Sequence, residues 1–209
     1  MGISRVSLVK YLGLWFDEDL TWVHHISTLT SKISSLIGIF YRKKDVIPLA
    51  CRKSLYYALA HSSLIYCIEL YGCAKKSALH PLIIKCNFLL RLLQNKPRMS
   101  NVKELYLTYN TLPVNLLHKL SVLKLMHLVI YNSNSLPSVF RNLFVTNSDI
   151  HSYNTRFAHN FNVQLSRCKS SINVVGPSLW CQLPSNARDC PNFSKFSKVC
   201  KEVLIKEIN

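Results

Sequence analysis

The chain has 209 residues, 49% of them hydrophobic, with 5 glycines, 8 prolines, and 26 Lys and Arg against 10 Asp and Glu, a formal net charge of +16. That length suits one large or two small domains, and so little Gly and Pro beside so many apolar residues excludes disorder and points to a helix-rich chain with a real core. A field this basic attracts polyanions, nucleic acid ahead of an acidic membrane surface, while a transmembrane helix is not expected without a run of about 18 uninterrupted apolar residues.

The first predicted element is a strand or hairpin within residues 1–16, where VSLVKYLGLWF is rich in β-branched and aromatic residues and Gly13 marks a turn or bulge. No small-residue cleavage site follows it, so no signal peptide is expected, and an intracellular location in nucleus or cytoplasm is the default. Helical spacing begins next. Val23, Ile26, Leu29, Ile33, Leu36, Ile37 and Phe40 recur at steps of three and four, and Arg42, Lys43 and Lys44 sit at the C-terminal end, where cations favour the helix dipole.

Pro48 opens a second helix that should run to a stop at Gly72. A third, from about Ser77 to Gln94, places Leu79, Leu82, Ile83, Cys86, Leu89, Leu90 and Leu93 inward and leaves Lys85 and Arg91 outside. Asn101 and Glu104 have capping-box spacing for a short helix, and Pro113 begins a strongly apolar one. From Asn132 the chain turns polar and rich in Asn and Ser, which predicts a loop or junction, then extended pieces near Phe161–Leu165 and Ile172–Val175. After Pro191 a last amphipathic helix aligns Phe193, Phe196, Val199, Val203 and Leu204.

The fold class is therefore mainly α, with a short N-terminal β-hairpin, a helical bundle, and a loop-rich C-terminal segment ending in an amphipathic helix. Three regions are expected: residues 1–20, 21–131 and 132–209.

Chemical motifs are mostly conspicuous by their absence. The five aspartates, Asp17, Asp19, Asp45, Asp149 and Asp189, include no adjacent pair on an apolar hairpin, and there is no P-loop, no G-x-S-x-G and no H-E-x-x-H. Asp17, Glu18 and Asp19 precede the first long helix, where carboxylates cap free N–H groups, and a capping role is weighed above a metal site. His24 and His25 would point about 100° apart on a helix, which suits surface or packing roles. The eight cysteines form no C-x-x-C, so reduced, buried thiols are expected, with zinc on Cys181, Cys190 and Cys200 plus His151 or His159 the weaker alternative. Charge is concentrated. From Leu20 to Lys103 there are thirteen Lys or Arg and only two acids, Asp45 and Glu69.

The stretch VKYLGLWFDEDLTWVHHI resembles the end of the palm and entry to the thumb in reverse transcriptases of non-LTR retrotransposons, of the jockey-like or LINE kind. The matching positions are Tyr11, Leu12 and Gly13, then Asp17, Leu20, Trp22, His25 and Ile26. Three more stretches follow in family order: Ile37–Gly72, similar to the thumb helices although Tyr71 stands where Trp is frequent; HSYNTR at 151–156; and GPSLWCQLP at 176–184, which departs at Cys181. The resemblance spans about Val9 to Pro184.

This resemblance implies that Tyr11, Leu12 and Gly13 are primer-grip-like and that a thumb-like region follows the primer–template, an RNA/DNA hybrid or duplex. It also implies that fingers and most of the palm, with the catalytic aspartates and their magnesium, lie upstream, leaving this chain without catalytic residues, metal or cofactor of its own. The missing palm and fingers would be partners; no membrane is implied. The basic bias supplies candidate nucleic-acid contacts, Lys32, Arg42, Lys43, Lys44, Arg52, Lys53, Lys75 and Lys76, with Lys85, Arg91, Lys96 and Arg98 behind them. Trp22, Tyr56, Tyr57 and Trp180 read as core aromatics. The competing reading is a decayed structural or interaction fragment, with apolar surface exposed around Val6–Phe16.

Overall fold

Leu8–Tyr11 (β1) and Leu14–Asp17 (β2) pair antiparallel, Leu8 opposite Asp17 and Tyr11 opposite Leu14. Two residues close the hairpin, Leu12 at φ 46° and Gly13 at φ 83°. Positive φ at both central positions gives the turn the twist that antiparallel strands need, and glycine adopts it without strain. The structure is a computed structural model that describes residues 5–141 and 172–208. HSYNTR, Phe161–Leu165, His151 and His159 lie outside the described residues.

The protein is mainly helical after this hairpin. Helix α1 spans Val23–Lys43 and buries Ile26, Leu29, Ile33 and Phe40 of the expected stripe, with His25 beside them, whereas Leu36 and Ile37 are half-buried and Val23, at the first turn, is exposed. Its main partner is α5, Lys76–Leu93, which buries Leu79, Leu82, Cys86, Leu89, Leu90 and Leu93. Ile83, expected inward, is only half-buried. Among the described residues, Cys86, Cys190 and Cys200 are buried, whereas Cys51 and Cys181 are exposed. Burial pushes the Cys86 and Cys200 thiols up to about 12, which keeps them protonated and unreactive.

The segment expected as one helix from Pro48 to Gly72 is interrupted twice. It begins as α2, Leu49–Leu55, widens into a π-helical stretch, Tyr56–His61, and resumes as α3, Ser62–Ile65. Tyr66 is extended, Cys67 is left-handed at φ 51°, and α4, Ile68–Tyr71, ends at Gly72. The wide turn has a packing cause. Tyr56, Ala60 and Leu64 are all essentially fully buried, yet a four-residue step drifts by about 40° on an α-helix, so one wider turn brings the row back over the core. At the second break Tyr71 donates its buried hydroxyl to the Leu64 carbonyl, satisfying an acceptor left by the interruption.

Asn101 caps α6, Val102–Tyr109, by accepting from Lys103 N at 2.8 Å, and Asn110 closes it at φ 53°. Helix α7, Val114–Tyr131, follows Pro113. Among the described residues it alone is long and apolar enough to cross a membrane, and 56% of that stretch is buried within the protein, as in a core helix.

Two compact units are present, Met1–Leu117 with Ile208 and Asn209, and His118–Glu207. In the second, Phe193–Ile205 is a helix capped by Asn192, whose side chain accepts from Lys195 N at 2.9 Å. Its buried row is Phe196, Cys200 and Leu204, with Val199 and Val203 half-buried beside it and Phe193 more exposed than expected. Ile172–Val175, expected as extended, instead begins a helix, Ile172–Gln182. There the packing of Trp180, 5.4 Å from Phe196 between ring centres, outweighs the strand preference of paired valines and the Gly-Pro step.

Candidate nucleic-acid interface

The candidate surface is built within the first unit, where the hairpin runs into α1. Leu20 and Trp22 adopt left-handed backbone, φ 51° and 65°, which is unfavourable for side chains of their size. Asp17 holds this bend: its carboxylate accepts from Thr21 N at 2.7 Å and Trp22 N at 2.9 Å. Slight burial works to raise its pKa, but these hydrogen bonds outweigh it and hold the carboxyl below its ordinary value. Asp17 thus caps the approach to α1 rather than the helix's own first turn, since Trp22 is the N-cap and has no side-chain cap.

The remaining acids of the run go elsewhere. Glu18 forms an ion pair with Arg5, and Asp19 is exposed. The three carboxylates do not converge, and among the described residues no group of three His, Cys, Asp or Glu side chains is arranged to hold a metal ion.

Trp22 and Tyr56 are buried and Tyr57 half-buried, and the Tyr57 hydroxyl is shared between the carbonyls of Tyr109 and Asn110 at 2.7 and 2.9 Å. His25 and Tyr66 line the same pocket as the turn residues Leu12 and Gly13. Tyr66 donates its hydroxyl to Leu12 O at 2.6 Å, so the break after α3 places that ring against the turn. Its Cε1 lies 3.7 Å from where a Cβ on Gly13 would stand. Between turn, α1 and α3 lies a pocket of about 520 Å³, lined by Leu12, Gly13, His25, Thr28, Leu29, Lys32, Ser62, Ser63 and Tyr66.

The sequence-predicted cations fall into two kinds. Lys32, Arg42, Lys43, Lys44, Lys53, Lys75 and Lys76 are exposed, and none is paired with a carboxylate among the described residues. Lys32 and Lys43 are eleven residues apart on α1, about three turns, and so share a face. Lys44 lies over the Tyr41 ring at 5.7 Å. Lys75 and Lys76 stand at the N-terminal end of α5, where the helix dipole disfavours cations and an incoming anion would relieve them.

Arg52 belongs to the other kind and is a correction to the expected set. It is buried, donating from Nε to Ile47 O at 3.0 Å, from one terminal nitrogen to Leu93 O at 3.4 Å, and from the other to Lys44 O. Lys44 ends α1 and Leu93 ends α5, so the guanidinium satisfies two helix C-termini and is not available to phosphate. Arg91, expected outside, is half-buried, with a terminal nitrogen 3.3 Å from Ser100 O.

No family model, curated protein or solved structure matches this chain. The surface therefore has to be judged on its own chemistry: a helical face carrying unpaired cations, adjoining a tight hairpin turn and a pocket. Sequence reasoning missed the pocket, because its walls come from three segments up to fifty residues apart. One signal was present: of the adjacent pair His24 and His25, only His25 falls on the α1 stripe that faces inward.

Proposed function

We propose that this chain is the primer-grip, thumb and following part of a non-LTR retrotransposon reverse transcriptase, binding primer–template without catalytic aspartates of its own. The observation that carries this reading is the placement of Lys32: it lines the same pocket as Leu12 and Gly13, so a cationic helix face begins beside the primer-grip-like turn. Arg42, Lys43 and Lys44 continue the positive charge along α1, with Lys53, Lys75 and Lys76 on neighbouring helices of the same unit. Such a surface contacts phosphates and tolerates any sequence, as a polymerase requires. Its partners would be an RNA/DNA hybrid or duplex and the missing palm and fingers, and its place the nucleus or cytoplasm.

Two measurements test this. Binding of a duplex or hybrid should weaken steeply between low and physiological salt, and affinity that stays flat would sink the reading. Primer extension on an RNA template should give no product with the purified chain; magnesium-dependent incorporation would overturn the assignment of catalysis to other residues.

A second reading, an interaction fragment of a transposon protein without nucleic-acid activity, draws on the hairpin itself. Val6, Val9, Tyr11 and Leu12 are 48–70% exposed, an apolar edge suited to burial against another surface. Absent nucleic-acid binding together with self-association through this edge would favour it.

A further inference from the structure

The pocket beside the hairpin turn holds features that phosphate tracking does not use. His25 is 4% exposed, and neither ring nitrogen has a hydrogen-bond partner among the described residues, although a buried polar group is normally satisfied. Trp22 and Tyr71 pack edge-on to the ring at 6.5 and 5.1 Å between ring centres, and the rest of its surroundings includes the pocket. Burial, and then the neighbouring His24, hold its pKa below the ordinary value, so the ring is neutral at pH 7 and offers one donor and one acceptor. The nitrogens carry almost no exposed surface.

The other lining groups define a complementary ligand. Thr28, Ser62 and Ser63 each donate their hydroxyl proton to a carbonyl four residues earlier, His24, Ala58 and Leu59, at 3.0, 2.6 and 2.9 Å. Their oxygens are left as acceptors. Leu12 and Leu29 supply apolar wall, and Tyr66 is an aromatic wall already fixed by its hydroxyl. Among the described residues Lys32 is the one charged side chain in the lining, and no carboxylate pairs with it. A ligand that fits is anionic at one end, flat and partly apolar at the other, and edged with N–H donors. The volume suits a single small molecule and excludes a duplex.

We propose that this pocket seats one unpaired nucleotide, with its phosphate on Lys32 and its base against His25, Leu29 and Tyr66. The nucleotide is either free or the unpaired end of a bound strand; the second source rests on the nucleic-acid reading above, the first does not.

The test uses the full chain with three probes: adenosine monophosphate, a blunt duplex, and that duplex with one unpaired 3′ nucleotide. Affinity and the ring ¹H–¹⁵N resonances of His25 are followed. The duplex with the unpaired nucleotide should bind about fivefold tighter than the blunt one and move the His25 signals. Ser63→Phe fills the pocket and should abolish that preference while leaving blunt-duplex affinity within about twofold. Ser62→Phe, at the more exposed rim, gives the same readout should the first variant misfold. If the mononucleotide alone moves His25, the site takes free nucleotide and the proposal holds. If no duplex binds but the mononucleotide still moves His25, the polymerase reading fails and the pocket assignment survives. Equal affinity for blunt and unpaired ends, with His25 unmoved by every probe, overturns it.

Discussion

Arg52 and the triplet Arg42, Lys43 and Lys44 lie within ten residues of one another and look alike in sequence, yet the fold uses them oppositely. Arg52 is buried under the ends of α1 and α5 and satisfies their carbonyls; the triplet is exposed at the end of α1 with no carboxylate partner among the described residues. Among the described residues, Arg52's donors are taken up by backbone carbonyls, two of them at helix ends, while those of the triplet are not. The local requirement for donors, not the residue type, decides between the two uses.

Changes at these positions separate stability from binding. The largest expected effect is Arg52→Ala, which strands buried carbonyls and should lower unfolding stability by about 2–4 kcal/mol in urea denaturation, with little change in the salt dependence of binding by the folded protein. Replacing Arg42, Lys43 and Lys44 together with Ala should do the reverse. Stability should stay within about 1 kcal/mol, while the slope of log affinity against log salt becomes shallower by about 1–3. An Arg52 variant that stays stable but loses duplex affinity would invert the comparison.

Asp17→Ala removes two hydrogen bonds at the bend before α1 and should cost about 1–2 kcal/mol at pH 7. Because the folded carboxyl lies below its ordinary value of 3.8, this contribution is present above that pH and is lost as pH falls through the lower, folded value. Wild type and variant should converge in strongly acidic urea titrations. The smallest effect belongs to His25. Its folded pKa lies below 6.5, so the unfolded chain takes up the proton first, and stability should decline as pH falls below that point. His25→Phe should flatten this slope.

The helices with regular apolar spacing were legible because their stripes also face a partner: α5 buries all the residues its periodicity named except half-buried Ile83, α1 buries Ile26, Leu29, Ile33 and Phe40 but exposes Val23, and Asn101 caps where its spacing with Glu104 indicated. Hairpin and turn were legible from Gly13 between two runs of strand-forming residues. Arg52 was not, because its role depends on Leu93, forty-one residues away, and no local pattern encodes that meeting. Neither was the helix at Ile172–Gln182, where contact with Phe196 overrides local preference. The pocket joins both limits. Lys32 was visible as a cation, and His25 as a histidine on an apolar stripe, but their common cavity depends on the bend at Tyr66 and Cys67.

The wide turn at Tyr56–His61 makes the chain sensitive to residue count. The wide turn already absorbs one residue beyond an ordinary helix, so inserting another there would rotate everything downstream to Ile65 by about 100° relative to α2. The core would lose little volume. Tyr66 would nonetheless leave Leu12, Ser62 and Ser63 would turn from the cavity, and the hairpin would lose its anchor. Length within six residues, more than their identity, couples this helix to the turn fifty positions before it.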